Sequence, residues 1–237
     1  LDQNPTQRIG RYFEQLIEYA LAHTDCALLA TNHQLHHGKR VVGELDYLFE
    51  HQGEINHWET ALKFYLQHRD GETLMDFVGP NAADTLGLKV DRILKHQLPM
   101  GQHSATTTIS GLDGRPISSR AFVRGYLFYH QGQTNQASAP SPIAGDHLRG
   151  WWIFADEPLP DGSSESAWLL AEKPHWLAPI RLTHSDSDHL LSKESLQTTI
   201  HDHFTSDNRP RLVIQLEKRG AHWQEVSRGF IVQSGWP

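Results

Sequence analysis

Cysteine is almost missing from this chain. Cys26 is the only one in 237 residues, so an intrachain disulfide cannot form and a structural zinc site is not expected. That usage fits the cytoplasm. Long apolar runs are missing too: none approaches the ~20 residues that span a bilayer, and no signal peptide is visible in a chain that opens at Leu1. The sequence therefore predicts a cytoplasmic protein with no membrane partner. Phosphate-loop, dinucleotide-binding, nucleophile-elbow and His-Glu-x-x-His patterns are all lacking. Most NTPase, dehydrogenase, α/β-hydrolase and zinc-protease readings go with them. No internal repeat or heptad pattern is present. Positive charge is in deficit, with 21 Lys and Arg against 28 Asp and Glu and a formal net charge of -7. Such a balance argues against a protein that coats nucleic acid, but not against a local basic patch beside an acidic site masked by metal. Histidine is abundant at 17, yet His33, His36 and His37, and His201 and His203, show no zinc-ligand spacing.

What is present is concentrated near the N-terminus. Gly43-Glu44-Leu45-Asp46-Tyr47-Leu48-Phe49 and His57-Trp58-Glu59-Thr60-Ala61-Leu62-Lys63 both read as β-strands, joined by a short polar stretch at Glu50 to Glu54. Side chains alternate along a strand, so Glu44 and Asp46 share one face, as do Glu59, Ala61 and Lys63. Two such strands paired antiparallel would gather three carboxylates and a lysine on one surface. Like charges at close range repel, and buried ones need partners. A divalent cation, Mg²⁺ or Mn²⁺, is the simplest partner for carboxylate oxygens.

Upstream, Asn4-Pro5 is a helix-start signal, and Ile9, Phe13, Leu16, Ile17, Ala20 and Leu21 form a helical stripe over Thr6 to Ala22 with Glu14 beside it. Strands are expected at Cys26 to Leu35, Arg40 to Phe49 and Ile55 to Leu66, with a turn at His36-His37-Gly38-Lys39. A helix is expected over Asn81 to Gln97, closed by Pro99 and Gly101. Lys89, Arg92 and Gln97 lie on or near its polar side and are candidates for contact with a phosphate backbone or with the active site.

A helix carrying Gly10-Arg11-Tyr12-Phe13-Glu14, then Gly43-Glu44-Leu45-Asp46, then a strand with Glu59 and Lys63 resembles the PD-(D/E)XK nuclease superfamily. The chain as a whole is similar to an uncharacterised bacterial family, domain of unknown function 1853. The resemblance implies a restriction-endonuclease-like α/β fold, a mixed sheet flanked by helices. It implies metal-dependent hydrolysis of DNA or RNA phosphodiesters, with Asp46 and Glu59 as metal ligands. Glu14 would bind a second metal or orient water, Lys63 would stabilise the phosphate, and Glu44 would be a ligand or would orient Lys63. Gln97 matches a glutamine often found on a helix after the third strand. One position departs from the pattern. The superfamily wants lysine two residues after the acid, where this chain has Ala61; Lys63 lies ~7 Å further along the same face. An inactive nuclease-fold protein acting as a nucleic-acid-binding or protein-interaction module is the alternative.

The remainder reads as mostly β: strands at Ala121 to Tyr129, Leu148 to Phe154 and Trp168 to Ala171, a helix at Leu190 to Phe204, and a hairpin of Arg211 to Glu217 with Trp223 to Val232. The expected organisation is a nuclease-like core over 1–100 and a β-rich C-terminal extension or small lobe over 101–237. Aromatic and basic residues interleave in that half, as in grooves for single-stranded nucleic acid. Arg124 and Arg228 are the candidates there for phosphate contact, because a charge inside a strand requires a partner.

Overall fold

The structure is a computed structural model and describes residues 9–133, 138–163, 165–173 and 175–237, apart from the side chains of His184 and Ser185. The fold is mixed α/β. It contains helices α1 (Ile9–Ala22), α2 (Leu86–Arg92) and α3 (Lys193–Ser206). The strands are β1 (Ala27–His37), β2 (Arg40–His51), β3 (Glu54–Gln67), β4 (Phe77–Val78), β5 (Ile117–His130), β6 (Leu148–Phe154), β7 (Ala167–Leu170), β8 (Arg181–Thr183), β9 (Arg211–Arg219) and β10 (His222–Val232). They form a 10-stranded mixed sheet in the order β1-β2-β3-β5-β6-β10-β9-β7, with β4 on β3 and β8 on β10. Among the described residues no helix is long and apolar enough to cross a membrane.

The contacts divide the chain into two compact units, one of residues 1–63 and 88–124, the other of 64–87 and 125–237. This division cuts across the one expected near residue 100. Its boundaries fall inside β3, near the start of α2 and inside β5.

In the first unit, β1, β2 and β3 are an antiparallel meander. Gln52 and Gly53 both have positive φ (52° and 79°) between the paired His51 and Glu54, the backbone a tight two-residue hairpin requires. The amphipathic stripe of α1 buries Phe13 and Leu21. Leu21 packs with Tyr47 and Phe49 of β2, joined by Ile17, Cys26, Leu28 and Trp58. Leu48, Ile55 and Leu112 form a separate cluster with Leu29, Ala30, Ile109 and Ile117. The helix expected from Asn81 begins only at Leu86 and, after Arg92, widens into a π-helical segment, Ile93–Gln97, followed by a tight 3₁₀ turn, Leu98–Gln102. Asn4-Pro5 lies outside the described residues.

In the second unit, β5 pairs parallel with β6 and β6 with β10, while β10–β9 and β9–β7 are antiparallel. Ser192 caps α3, its hydroxyl accepting the Ser195 N–H at 3.1 Å. Leu196 and Ile200 of that helix enter a core with Trp151, Trp168, Val213 and Ile231. A recess of about 330 Å³ is lined by apolar and polar residues alike, Ile153, Leu159, Ile200, Asp156, Glu157 and Gln197 among them, none of them a site residue expected from the sequence.

Candidate functional site

The β2–β3 ladder runs from the hairpin to Tyr47 opposite Trp58 and ends there. Asp46 and Glu59, the next positions in that register, lie where the strands part. The Asp46 carboxylate takes over from the ladder: Oδ2 accepts the Thr60 backbone N–H at 2.8 Å and the Thr60 hydroxyl at 3.2 Å. Asp46 is thus fixed at a strand opening rather than left on a paired surface.

Glu59 is 1% exposed, and a buried carboxylate must be paired or hydrogen-bonded. Its Oε1 lies 2.9 Å from His57 Nε2 and its Oε2 accepts from Gln97 Nε2 at 2.6 Å. His57 is itself fully buried and reaches Ser119 Oγ through Nδ1 at 3.0 Å. A carboxylate only accepts, so His57 Nε2 carries the proton on that side. At the other end, Lys89 Nζ donates to Gln97 Oε1 at 3.1 Å. A continuous row therefore runs Ser119–His57–Glu59–Gln97–Lys89, drawn from β5, β3, the π-helical segment and α2. The extra residue in a π turn is what such segments use to re-aim a side chain, often at functional sites, and Gln97 is the last residue of this one.

The electrostatics tie the expected residues together. Burial pushes the Asp46 carboxyl up to about 6, with the Glu59 charge adding to it, the Thr60 hydrogen bonds opposing it and Glu14 raising it further. Glu14, on the half-buried side of α1, is raised by burial, lowered by Arg11 and raised by Glu44. Lys89 is lowered by burial and by the positive charge of Lys63, and drawn back up by Asp46 and Glu59. Arg92 also acts on Lys89. The structure thus gathers Glu14, Glu44, Asp46, Glu59, Lys63, Lys89 and Gln97 in one region of the first unit. Lys89 and Gln97, expected at a phosphate backbone or the active site, belong to the acidic group's own hydrogen-bond row.

The remaining basic residues are placed differently. Arg92 is exposed near that group. Arg124 is exposed on β5, its guanidinium 4.3 Å above the Phe122 ring. Arg228, expected at phosphate, is a correction: it is 1% exposed and committed internally. Its Nε and one terminal nitrogen donate to both oxygens of Glu225 (2.6 and 2.8 Å), and its terminal nitrogens donate to the carbonyls of Trp176 and Ala178 (2.7 and 2.9 Å). It lies 4.5 Å from the Tyr126 ring centroid. The strand charge does have a partner, and that partner is the protein.

His57, Thr60 and Ser119 are site residues the sequence reading missed. His57 was legible, being two residues from Glu59 on the same strand face. Thr60 points the other way and joins only because the strands part. Ser119 comes from a strand some sixty positions on and carries no local signal. Gly101 closes over the pair: a Cβ there would collide with Ser119 Oγ and stand 2.8 Å from His57 Nδ1.

As metal ligands, Asp46, Glu59 and Glu14 offer oxygen alone, the donor type of Mg²⁺ and Mn²⁺. Each hydrogen-bonded Glu59 oxygen keeps a second lone-pair direction, and both Asp46 bonds fall on Oδ2. The donors fit in kind. They are not drawn into one ligand shell, because among the described residues the only group of three His, Cys, Asp or Glu ligand atoms mutually within 4.8 Å is Asp25, Cys26 and His51.

A family model, Domain of unknown function (DUF1853), matches residues 1–232. The chain belongs to that family. No curated protein and no solved structure matches it.

Proposed function

We propose that this member of DUF1853 is a metal-dependent nuclease-like phosphodiesterase whose active site is the acidic group of the first unit, with a restriction-endonuclease-like arrangement around it. The observation that carries the reading is the meeting of Asp46 and Glu59 at the parting of β2 and β3, with Glu14 from α1, with Lys89 within range of the Asp46 and Glu59 charges and with Lys63 within range of Lys89. Neighbouring carboxylate charges that raise the proton affinity of Asp46 and Glu14 also favour a cation. Asp46 and Glu59 would hold Mg²⁺ or Mn²⁺. Bound there, the ion would offset charge on a phosphate and make water more acidic.

The chain's own groups divide the rest. Thr60 fixes Asp46, while His57 and Gln97 fix Glu59. Glu14, held above the usual carboxylate range, would take a proton from the attacking water. Lys63 and Lys89 would meet the phosphate, DNA or RNA, with Arg92 and Arg124 further out on exposed surface. Lys89 bears on the departure at Ala61, which is 8% exposed and brings no charge to the site. A catalytically inactive nucleic-acid-binding or protein-interaction module is the second reading, and Ala61 is the observation that favours it.

The test is cleavage of single- and double-stranded DNA and RNA with Mn²⁺ or Mg²⁺, running Asp46→Asn beside the wild type. Cleavage by the wild type and at least about a hundredfold less by the variant is the expected result, the scale of losing one strong transition-state interaction. Equal activity in both, or none in the wild type, overturns the enzyme reading. Retained salt-dependent nucleic-acid binding would then leave the module reading.

A further inference from the structure

Cys26 and His51 are the first positions beyond the end of the β1–β2 ladder, which closes with Ala27 opposite Glu50. Cys26 thus leads from the turn that holds Asp25 directly into β1, beside the end of β2 that carries His51. His51 is anchored on its other side as well, through its pairing with Glu54 in β3. Cys26 Sγ stands 3.7 Å from His51 Nδ1, and Asp25 Oδ1 stands 3.3 Å from the same nitrogen. All three ligand atoms lie within 4.8 Å of one another.

These separations have a chemical meaning beyond hydrogen bonding. Zinc takes thiolate sulfur at ~2.3 Å, imidazole nitrogen at ~2.0–2.1 Å and carboxylate oxygen at ~2.0–2.2 Å in a tetrahedron. The tetrahedral angle turns those bond lengths into ligand–ligand edges of roughly 3.6 Å for S···N and roughly 3.4 Å for N···O. Two edges of the cluster thus already have the required length. Nδ1 is the nitrogen that faces both other ligands, so no ring flip is needed. The set mixes a soft thiolate with imidazole and carboxylate, which selects zinc-like transition ions over Mg²⁺. Asp25 and His51 retain 72% and 37% side-chain exposure, so an ion can enter from solvent.

We propose that Asp25, Cys26 and His51 form a site for a thiophilic divalent cation such as Zn²⁺, with three protein ligands and a fourth position open to water or another donor. The site does not depend on the nuclease reading, since it shares no residue with the acidic group. Ion binding displaces the thiol proton and so releases it to solvent.

Titration of the full chain with Co²⁺ under reducing conditions tests this, because a cobalt–thiolate charge-transfer band reports the only cysteine and is blind to carboxylate sites. The expected result is a band saturating at one equivalent, reversed by Zn²⁺ and absent in Cys26→Ser. His51→Ala and Asp25→Asn should each weaken binding at least as much as the roughly 10–100-fold that loss of an outer-shell partner costs. Circular dichroism would confirm that the variants are folded. No band in the wild type, or a band of undiminished affinity in folded His51→Ala, overturns the proposal. Zn²⁺ binding, read by calorimetry, that survives Cys26→Ser unchanged overturns it too, since the ion would then be held elsewhere.

Discussion

Asp46 shows what a single placement does to stability. Its carboxyl is displaced from 3.8 to about 6, first by burial and then by Glu59. At ~1.4 kcal/mol per pH unit, holding Asp46 ionised in the folded protein costs on the order of 3 kcal/mol. The sign follows from proton uptake. Between pH 4 and 6 the folded state holds a proton that the unfolded chain has released, so this group's contribution falls as pH rises across that window. Replacing Asp46 with Asn keeps an acceptor for the Thr60 N–H and removes the charge. Thermal melts at pH 8 without divalent ions should therefore show Asp46→Asn above the wild type, by several degrees at ~2–4 °C per kcal/mol for a chain of this size. At pH 4.5 the gap should shrink. A variant that melts lower at both pH values would mean Asp46 is not strained.

Arg228 is the opposite case at the same scale. The guanidinium and Glu225 satisfy each other inside the second unit, at 1% and 8% side-chain exposure. Arg228→Met leaves a buried carboxylate with its principal partner gone and should cost about 3–5 kcal/mol in urea unfolding. Nucleic-acid affinity measured below the transition should not change, whereas Arg124→Ala, on exposed surface, should lower any such affinity and its salt slope.

At the scale of elements, the site depends on three local departures from regularity. The β2–β3 ladder stops one pair short of Asp46 and Glu59. The helix carrying Lys89 widens into a π turn that ends at Gln97. The following 3₁₀ turn lays Gly101 against His57 and Ser119. The last is the simplest to probe. Gly101→Ala places a methyl group where the Ser119 hydroxyl and the His57 ring now meet, so the turn must withdraw. Overpacking of this kind costs about 1–3 kcal/mol, and a drop of several degrees in melting temperature is expected. Ser119→Ala should restore part of that loss, because the colliding oxygen is gone; a double variant no better than Gly101→Ala would place the strain elsewhere.

At the scale of the molecule, a boundary near residue 100 would sever the first unit, which includes residues 88–124 and with them Ser119. A fragment of residues 1–100 lacks the start of β5 altogether. It is expected to unfold without a cooperative transition, whereas the full chain should show one. A fragment with a sharp melt and dispersed amide resonances would contradict this.

Much of the order of elements was legible in residues alone. Alternation located β2 and β3 and an apolar stripe located α1, each to within a few positions, because period-2 and period-3.6 patterns are local consequences of backbone geometry, and β1, β6 and α3 also lie within a few positions of where they were expected. The same alternation determined that Glu44 with Asp46, and Glu59 with Lys63, would share faces. Sequence did not determine where the ladder would open, that Gln97 and Lys89 would turn inward while Arg228 was consumed by Glu225, or that His57 and Ser119 would stand behind Glu59. Nor did Cys26 and His51, 25 positions apart, announce each other. Those outcomes depend on which distant strands lie side by side and in what register, a choice made by the packing of the whole sheet, which no window of local pattern contains.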